Sequence, residues 1–480
     1  MTNWAAKGSA WLLFATVAGA PVPFGSSDPV VIACWCIVLG LALILAPVNA
    51  LKSSHIALLA LGAVVAAAYG FVLHEQVASY PWLAIATPHP IWSEAHAALG
   101  QPVEASVSIA RYTPYYALGT PLVALLSLAT GLVVGTDRLH ARQLLSVVAW
   151  SGACLAIFGI VQQVTDPDMI LWREKRAYLG VLTSTFINRN TAAVYFGSCS
   201  VIWLLLLSAR FRSFMADGAV GWREAADQFL SAPPRAIFVP LTMLVTCLCA
   251  MFMTGSRAGV ILSLLALIVA FNLYFRRRLA AGGRSLMAFF GSGLAALILL
   301  QLLGEGVIDR LDARGATDEG RLATYRAILR MIAEHPWLGT GQGTFAVAYP
   351  AYRSSEVSMW GVWDIAHNTL LEIAADMGVP IAALVALGWG AIFVTLTYGV
   401  RHRNRDLIVP ISALVVAMLA ILHSLVDFSL QIPGYGIVAM ALIGTGLAQS
   451  FSSRSRRAAG QPAAAEGAAA EEPQIVADST

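Results

Sequence analysis

The sequence predicts an all-α fold, a polytopic membrane bundle of about twelve transmembrane helices with one large outer loop that contains amphipathic helices. Three observations carry this expectation. The chain is 58% hydrophobic and only 12% charged, whereas about a quarter of a soluble domain is charged. Apolar stretches close to the roughly 20 residues needed to cross about 30 Å of hydrocarbon recur along it. Lysine and arginine collect in alternate connections between those stretches, the signature of positively charged inner loops. Backbone inside a bilayer must satisfy its own hydrogen bonds, so each stretch is read as a helix.

In chain order the expected spans are 8–24, 30–47, 55–73, 116–135, 143–163, 191–208, 236–253, 258–275, 285–303, 379–399, 407–425 and 434–451. Lys52, Arg138, Arg142, the 210–235 connection, Arg276 to Arg278 with Arg284, and Arg401, Arg403 and Arg405 then fall on one side with the tail arginines Arg454, Arg456 and Arg457. That side is assigned to the cytoplasm, and with it both termini. Three substantial loops, 74–115, 164–190 and 304–378, are left for the outer face. The chain divides into 1–183, N-terminal helices with loop 74–115; 184–451, a membrane core that includes loop 304–378; and a tail, 452–480. The tail is rich in Ala, Glu, Gly and Ser without apolar periodicity, and is expected to be disordered. The small-residue run Ala18-Gly19-Ala20 after Lys7 imitates a leader-peptide cleavage site; an uncleaved first span is the expectation, because no polar region surrounds it.

Composition also narrows function. A net charge of +3 gives no argument for nucleic acid as a partner. All six cysteines lie in apolar spans and are read as packing residues, with no disulfide framework and no zinc site. Asp166-Pro167-Asp168 is read as a turn. Gly339, Gly341 and Gly343 form a glycine-spaced turn after Pro336, without the strand or the Lys-Ser/Thr of a phosphate loop.

The side chains able to carry chemistry collect on the outer side. Leu322, Tyr325, Leu329 and Ile332 repeat at helical spacing, so loop 304–378 is expected to contain an amphipathic helix lying against the bundle or the membrane surface, with Arg326 and Arg330 on another face. Further on, Asp364, His367 and Asn368 are read on one helix, where the carboxylate fixes the tautomer of a histidine suited to taking a proton from a sugar hydroxyl. Asn188 and Arg189, and separately Arg257 between Ser256 and Gly259, stand at helix entrances with room for a bulky anion. Guanidinium groups pair bidentately with phosphate oxygens. His423 and Asp427, four residues apart, are expected to form a helix-locking polar pair.

The order STFINRNTAA (184–193), TGSRAG (254–259), GRLATYRAILRMIAEHPWLGTGQGTF (320–345), HNTLLEIAADMGVP (367–380) and HSLVDFSLQIP (423–433) resembles the O-antigen ligase and polymerase family of bacterial membrane glycosyltransferases. The resemblance implies an enzyme at the periplasmic face of the inner membrane. It would move a glycan from a polyprenyl-pyrophosphate donor to a hydroxyl acceptor, either another glycan or lipid A-core, without metal or other cofactor. It carries the family's outer-boundary arginine onto Arg257, its loop arginine onto Arg321 and its loop histidine onto His367, which becomes the catalytic base. Arg189, Asn188 and Asn368 join Arg257 and Arg321 as expected substrate-binding residues, with membrane lipid as the surroundings. Nothing in these motifs separates ligase, polymerase and protein glycosyltransferase. A lipid-linked glycan flippase or another transporter is the alternative, although the spans are nearly free of charge and show no fixed-period repeat.

Overall fold

The computed structural model describes residues 3–217, 235–279, 284–303, 319–357, 363–403 and 406–451. The expected tail, 452–480, and residues 304–318 and 358–362 of the expected outer loop lie outside the described residues. The helices are α1 (Asn3–Gly19), α2 (Pro29–Leu45), α3 (Ser53–Val77), α4 (Ile91–Leu99), α5 (Thr113–Ala117), α6 (Gly119–Val134), α7 (Arg138–Thr165), α8 (Arg189–Asp217), α9 (Arg235–Met253), α10 (Arg257–Leu279) and α11 (Arg284–Leu303). They continue with α12 (Glu319–Glu334), α13 (Phe345–Ala348), α14 (Thr369–Met377), α15 (Val379–His402), α16 (Ile408–Ser424) and α17 (Pro433–Gln449). Strands Met169–Ile170 and Arg173–Glu174 form a minimal antiparallel hairpin.

Each expected span falls on a helix. Among the described residues, seven helices are long and apolar enough to cross a membrane: α3, α5 continued into α6, α7, α8, α9, α10 and α15. α2 and α16 are apolar but shorter, at 17 residues each. The chain is therefore a multi-pass membrane protein.

Two helices form the centre. α8 is packed by α7, α9, α10 and α16, and α17 by α6, α7, α16 and α1. Every residue of α17 except Met440 is buried. Lipid tails offer no hydrophobic drive for helix association, so contact depends on close approach between small residues. A β-carbon on Gly131 of α6 would stand 2.3 Å from the Ala441 carbonyl oxygen, and one on Gly444 of α17 would stand 2.1 Å from that of Leu128. These two positions have no room for any side chain.

Above this bundle, α12, α13 and α14 share a small core of their own, including Ala327, Ile328, Met331, Phe345, Tyr349 and Ala375. The buried face of α12 is thus set by Ala327, Ile328, Met331 and Ile332, with Tyr325 packed beside it, so that of the expected stripe Tyr325 and Ile332 face the core while Leu322 and Leu329 stay exposed. α12 turns Ala327, Ile328 and Met331 to its neighbours and Leu322 and Leu329 away from them. The glycine turn joins this cap to the last turn of α3. Gln76, wholly buried, donates to the carbonyls of Leu338 and Asp376 at 2.5 and 2.8 Å and accepts the Gln342 N–H at 3.0 Å. The Gly343 N–H goes to the Asp376 carboxylate at 2.8 Å, and the Thr340 and Gly341 N–H groups go to the Ala375 and Asp376 carbonyls. The turn's amides are spent inside the protein, as a structural turn requires.

Replacing Gly131 by Val should destabilise the bundle by about 1–3 kcal/mol, the usual cost of overpacking. Gly388→Ala, inside α15 with nothing within 4 Å of the added β-carbon, should leave thermal melting in detergent unlowered or slightly raised. Equal melting of the two variants would show that the α6–α17 contact does not hold the fold together.

Candidate functional site

Three helices begin at the same end of the bundle, each with a polar cap. Asn188 stands before α8 and accepts the Asn190 N–H at 2.6 Å. Ser256 stands before α10 and accepts the Gly259 N–H at 3.2 Å. Asn368 stands before α14 and accepts the Leu371 N–H at 3.1 Å. Asn and Ser are strong caps because a short side-chain oxygen reaches the unpaired amides of the first turn. The residues that follow are less expected. Arg189 opens α8 and Arg257 opens α10, although a cation beside the positive end of a helix dipole is unfavourable. Both guanidinium groups are half-buried, and Arg189 Nε is buried with no hydrogen-bond partner among the described residues. Its guanidinium carbon lies 5.3 Å from the centre of the Tyr178 ring.

These elements meet at the turn that follows α16. Arg321 Nη1 donates to the Val426 carbonyl at 2.9 Å, and Asn368 Nδ2 to that of Leu425 at 3.0 Å. The Tyr325 hydroxyl donates to the His367 carbonyl at 2.9 Å and approaches that of Leu425 at 3.4 Å. Asn190 donates through Nδ2 to the Asp427 carboxylate, and its Oδ1 accepts the Ser256 hydroxyl at 2.8 Å. The Asp427 carboxylate also accepts the Phe428 N–H at 2.8 Å. A hydrogen-bonded line therefore runs from the cap of α10, beside Arg257, through the first turn of α8 to Asp427.

His367 completes that line. Its Nδ1 lies 3.4 Å from Asp427 Oδ1, with the histidine side chain 24% exposed and the aspartate 3%. That separation is longer than a closed hydrogen bond. The imidazole stands edge-on between the rings of Trp363 and Phe428, at centroid distances of 5.3 and 5.0 Å. Its backbone has φ of 53°, a left-handed conformation that costs a residue with a β-carbon about 1–2 kcal/mol. Strain of this kind persists where the surroundings over-determine it, and it clusters at functional sites. Burial alone would raise the Asp427 carboxyl, but the adjacent His367, the nearby His423 and the Phe428 amide outweigh it and hold the group below its usual range. On the far side of His367, burial pushes the Glu372 carboxyl up to about 7 against the hydrogen bonds from Ala366 and Gln431.

Several sequence expectations change here. Residues 364–368 are not helical, because α14 starts only at Thr369; Asp364 is exposed, and the carboxylate facing His367 is Asp427. The His423–Asp427 pair is not formed through the side chains. His423 instead directs Nδ1 to the Ser429 hydroxyl at 3.0 Å. The side-chain oxygens of Asn188 and Asn368 cap helices, and Asn368 also braces the turn. Arg326 is exposed in an ion pair with Glu356 at 3.6 Å, and Arg330 donates to the Tyr352 carbonyl. The Asp166-Pro167-Asp168 segment is a turn, closed by the Lys175 ammonium on the Pro167 carbonyl at 2.7 Å. The structure adds Asn190, Tyr178 and Glu372 as unforeseen neighbours. Asn190 could have been suspected from its place in the Asn-Arg-Asn run; Tyr178 carried no signal.

Residues 242–386 match the family model described as O-antigen ligase. No curated protein matches the chain.

The Glu372 carboxyl gives a pH test. Because its folded pKa of about 7 is raised from 4.5, its protonated form favours the fold; that contribution is complete below about pH 4.5 and is lost as pH rises through 7. Glu372→Gln should therefore melt progressively higher than the wild type between about pH 5 and 8. A constant difference across that range would mean that the carboxylate is not enclosed.

Proposed function

Starting from the O-antigen ligase domain and the O-antigen ligase/polymerase family that it supports, we propose that this multi-pass bacterial membrane protein transfers a glycan, with inversion and without metal, from a polyprenyl-pyrophosphate donor to a hydroxyl acceptor. The reaction is set at the periplasmic face of the inner membrane, with both termini in the cytoplasm. The observation that carries the reading is the approach of a strained, partly buried histidine to a buried aspartate, His367 Nδ1 to Asp427.

That contact favours the tautomer with its proton on Nδ1, leaving the lone pair of Nε2 for the substrate, the logic by which a carboxylate fixes a general base. The acceptor hydroxyl gives its proton to Nε2 as its oxygen bonds to the anomeric carbon. The bond from that carbon to the pyrophosphate oxygen breaks on the opposite face. Asp427 keeps its charge and stabilises the imidazolium that forms.

The departing pyrophosphate needs preorganised positive charge. Arg189 and Arg257 at the starts of α8 and α10, with Arg321 beside the turn, supply it, and the helix dipoles add to it. In this reading Arg189 Nε, buried without an acceptor, finds one in a phosphate oxygen. Asn188 and Asn368 act on the substrate by holding the helix entrances in place.

In purified protein given a synthetic polyprenyl-pyrophosphate glycan, His367→Ala should lower transfer by roughly 10²–10⁴-fold, the range for losing a general base. Asp427→Asn should lower kcat more than it raises KM. Arg257→Lys keeps the charge but loses the planar fork, and should cost roughly tenfold or more. Wild-type rates from His367→Ala would sink the base assignment. Translocation of the glycan without any new bond would sink the transferase reading itself.

A further inference from the structure

The connection between α7 and α8 is fastened to the bundle at several separate points. Gln162, in the last turn of α7, brackets the tip of its hairpin, donating to the Leu171 carbonyl at 3.1 Å and accepting the Leu171 N–H at 3.4 Å. Phe24, in the connection between α1 and α2, takes the Arg173 guanidinium over its ring at 4.3 Å and the Trp172 ring edge-on at 5.2 Å. The Lys175 ammonium donates to the Val181 carbonyl at 2.9 Å. The Leu182 N–H then goes to the carbonyl of Met253, the last residue of α9, at 3.1 Å, and the Ser184 hydroxyl to that of Leu155 at 2.9 Å.

Tyr178 sits between the Lys175 and Leu182 fastenings. Its backbone has φ of 59°, and that of Gly180 has φ of 70°. Glycine adopts this left-handed conformation freely, but tyrosine adopts it under strain. The strained residue is the one that presents its ring to Arg189, with the guanidinium carbon 5.3 Å from the ring centre, inside the limit of about 6 Å for a cation–π contact. Burial, then the Asp427 carboxylate, push the phenol above its ordinary range against the pull of Arg321, and Asp364 adds to the push. The phenol thus lies within the fields of residues gathered around His367, and it stays neutral.

A ring does for a guanidinium what a carboxylate cannot. An acidic partner would take up N–H donors and offset the charge, whereas a ring face orients the group and leaves its five donors free for another acceptor. Arg189 has a donor in need of one, because its Nε is buried with no hydrogen-bond partner among the described residues. Its backbone is already fixed by the cap at Asn188 and by the bond from Asn190 to Asp427.

Resting on the glycan-transfer reading, we infer that Tyr178 is a positioning residue, whose ring holds the Arg189 guanidinium ready for the departing pyrophosphate. The strained hairpin that carries Tyr178 is then the device that aims Arg189.

The test uses the full-length protein with the synthetic polyprenyl-pyrophosphate glycan. It compares Tyr178→Phe with proteins carrying mono-, di- and trifluorinated phenylalanine at the same position. Fluorine drains the negative face of the ring and hardly alters its shape, so a role in packing alone would not respond. Tyr178→Phe should keep kcat/KM within about twofold of the wild type. The fluorinated series should then lose activity stepwise, by about 3–30-fold at its end, with most of the loss in kcat, the range of cation–π contacts from exposed to desolvated. In an Arg189→Gln background the series should be flat. Titration with a short sugar-free polyprenyl pyrophosphate gives a second readout, in which the dissociation constant should rise along the same series. A wild type that binds this pyrophosphate but transfers no glycan removes the glycan-transfer reading, and the titration then judges Tyr178 by itself. A series flat in both measurements, or one that falls as steeply in the Arg189→Gln background, overturns the inference while the transferase reading stands. A wild type that neither binds nor transfers overturns both.

Discussion

Asp427 lies in the turn between α16 and α17, and its side chain is almost wholly enclosed. A carboxylate in such a place is costly unless several donors converge on it. They come from separate parts of the chain: His367 from the small cap of α12 to α14, Asn190 from the first turn of α8 and Phe428 from the turn itself. Through Asn190 the aspartate also reaches Ser256, the cap of α10. Meeting the needs of one buried anion therefore fixes where two membrane helices begin and where the histidine of the cap must stand. The carboxylate is a structural demand before it is a chemical one.

The same region breaks a local rule of helix design twice. Arginine opens both α8 and α10, where a carboxylate would suit the dipole better. Where local preference is violated without a local gain, function is the usual reason. In the proposed reaction, two guanidinium groups at two positive helix ends would form a concentrated field for the departing anion, and the hydrogen-bonded line through Asn190 links the starts of both helices to Asp427.

Much of this could be read from the sequence, for identifiable reasons. Spans are legible because hydrocarbon imposes one length and one polarity on every helix that crosses it, and all the expected stretches fall on helices. His367, Arg257 and Arg189 are legible as reactive or charged types at apolar boundaries. The partner of His367 was not. Asp364, three residues away, is the natural choice if the segment is helical, but the Asn368 cap starts α14 too late for that. By spacing alone Asp427 pairs with His423, and only the tertiary fold turns the carboxylate to His367 instead. Short-range spacing identifies which residues can meet within one element, whereas the site is made between elements. Leu322 and Leu329 show the same limit, because apolar periodicity cannot distinguish a face turned to protein from one turned outward.

α17 has a consequence for how the protein is made. It is among the most enclosed helices of the bundle, yet residues 433–449 leave the ribosome after all the described helices that pack against it. The earlier helices must therefore enter the bilayer with their central slot unfilled, and the glycine-lined face of α6 must wait for its match. Biogenesis then becomes a vulnerable stage, at which a stalled intermediate exposes small-residue grooves to any passing helix. The insertion machinery, or prompt arrival of α17 itself, has to guard that slot until the bundle closes.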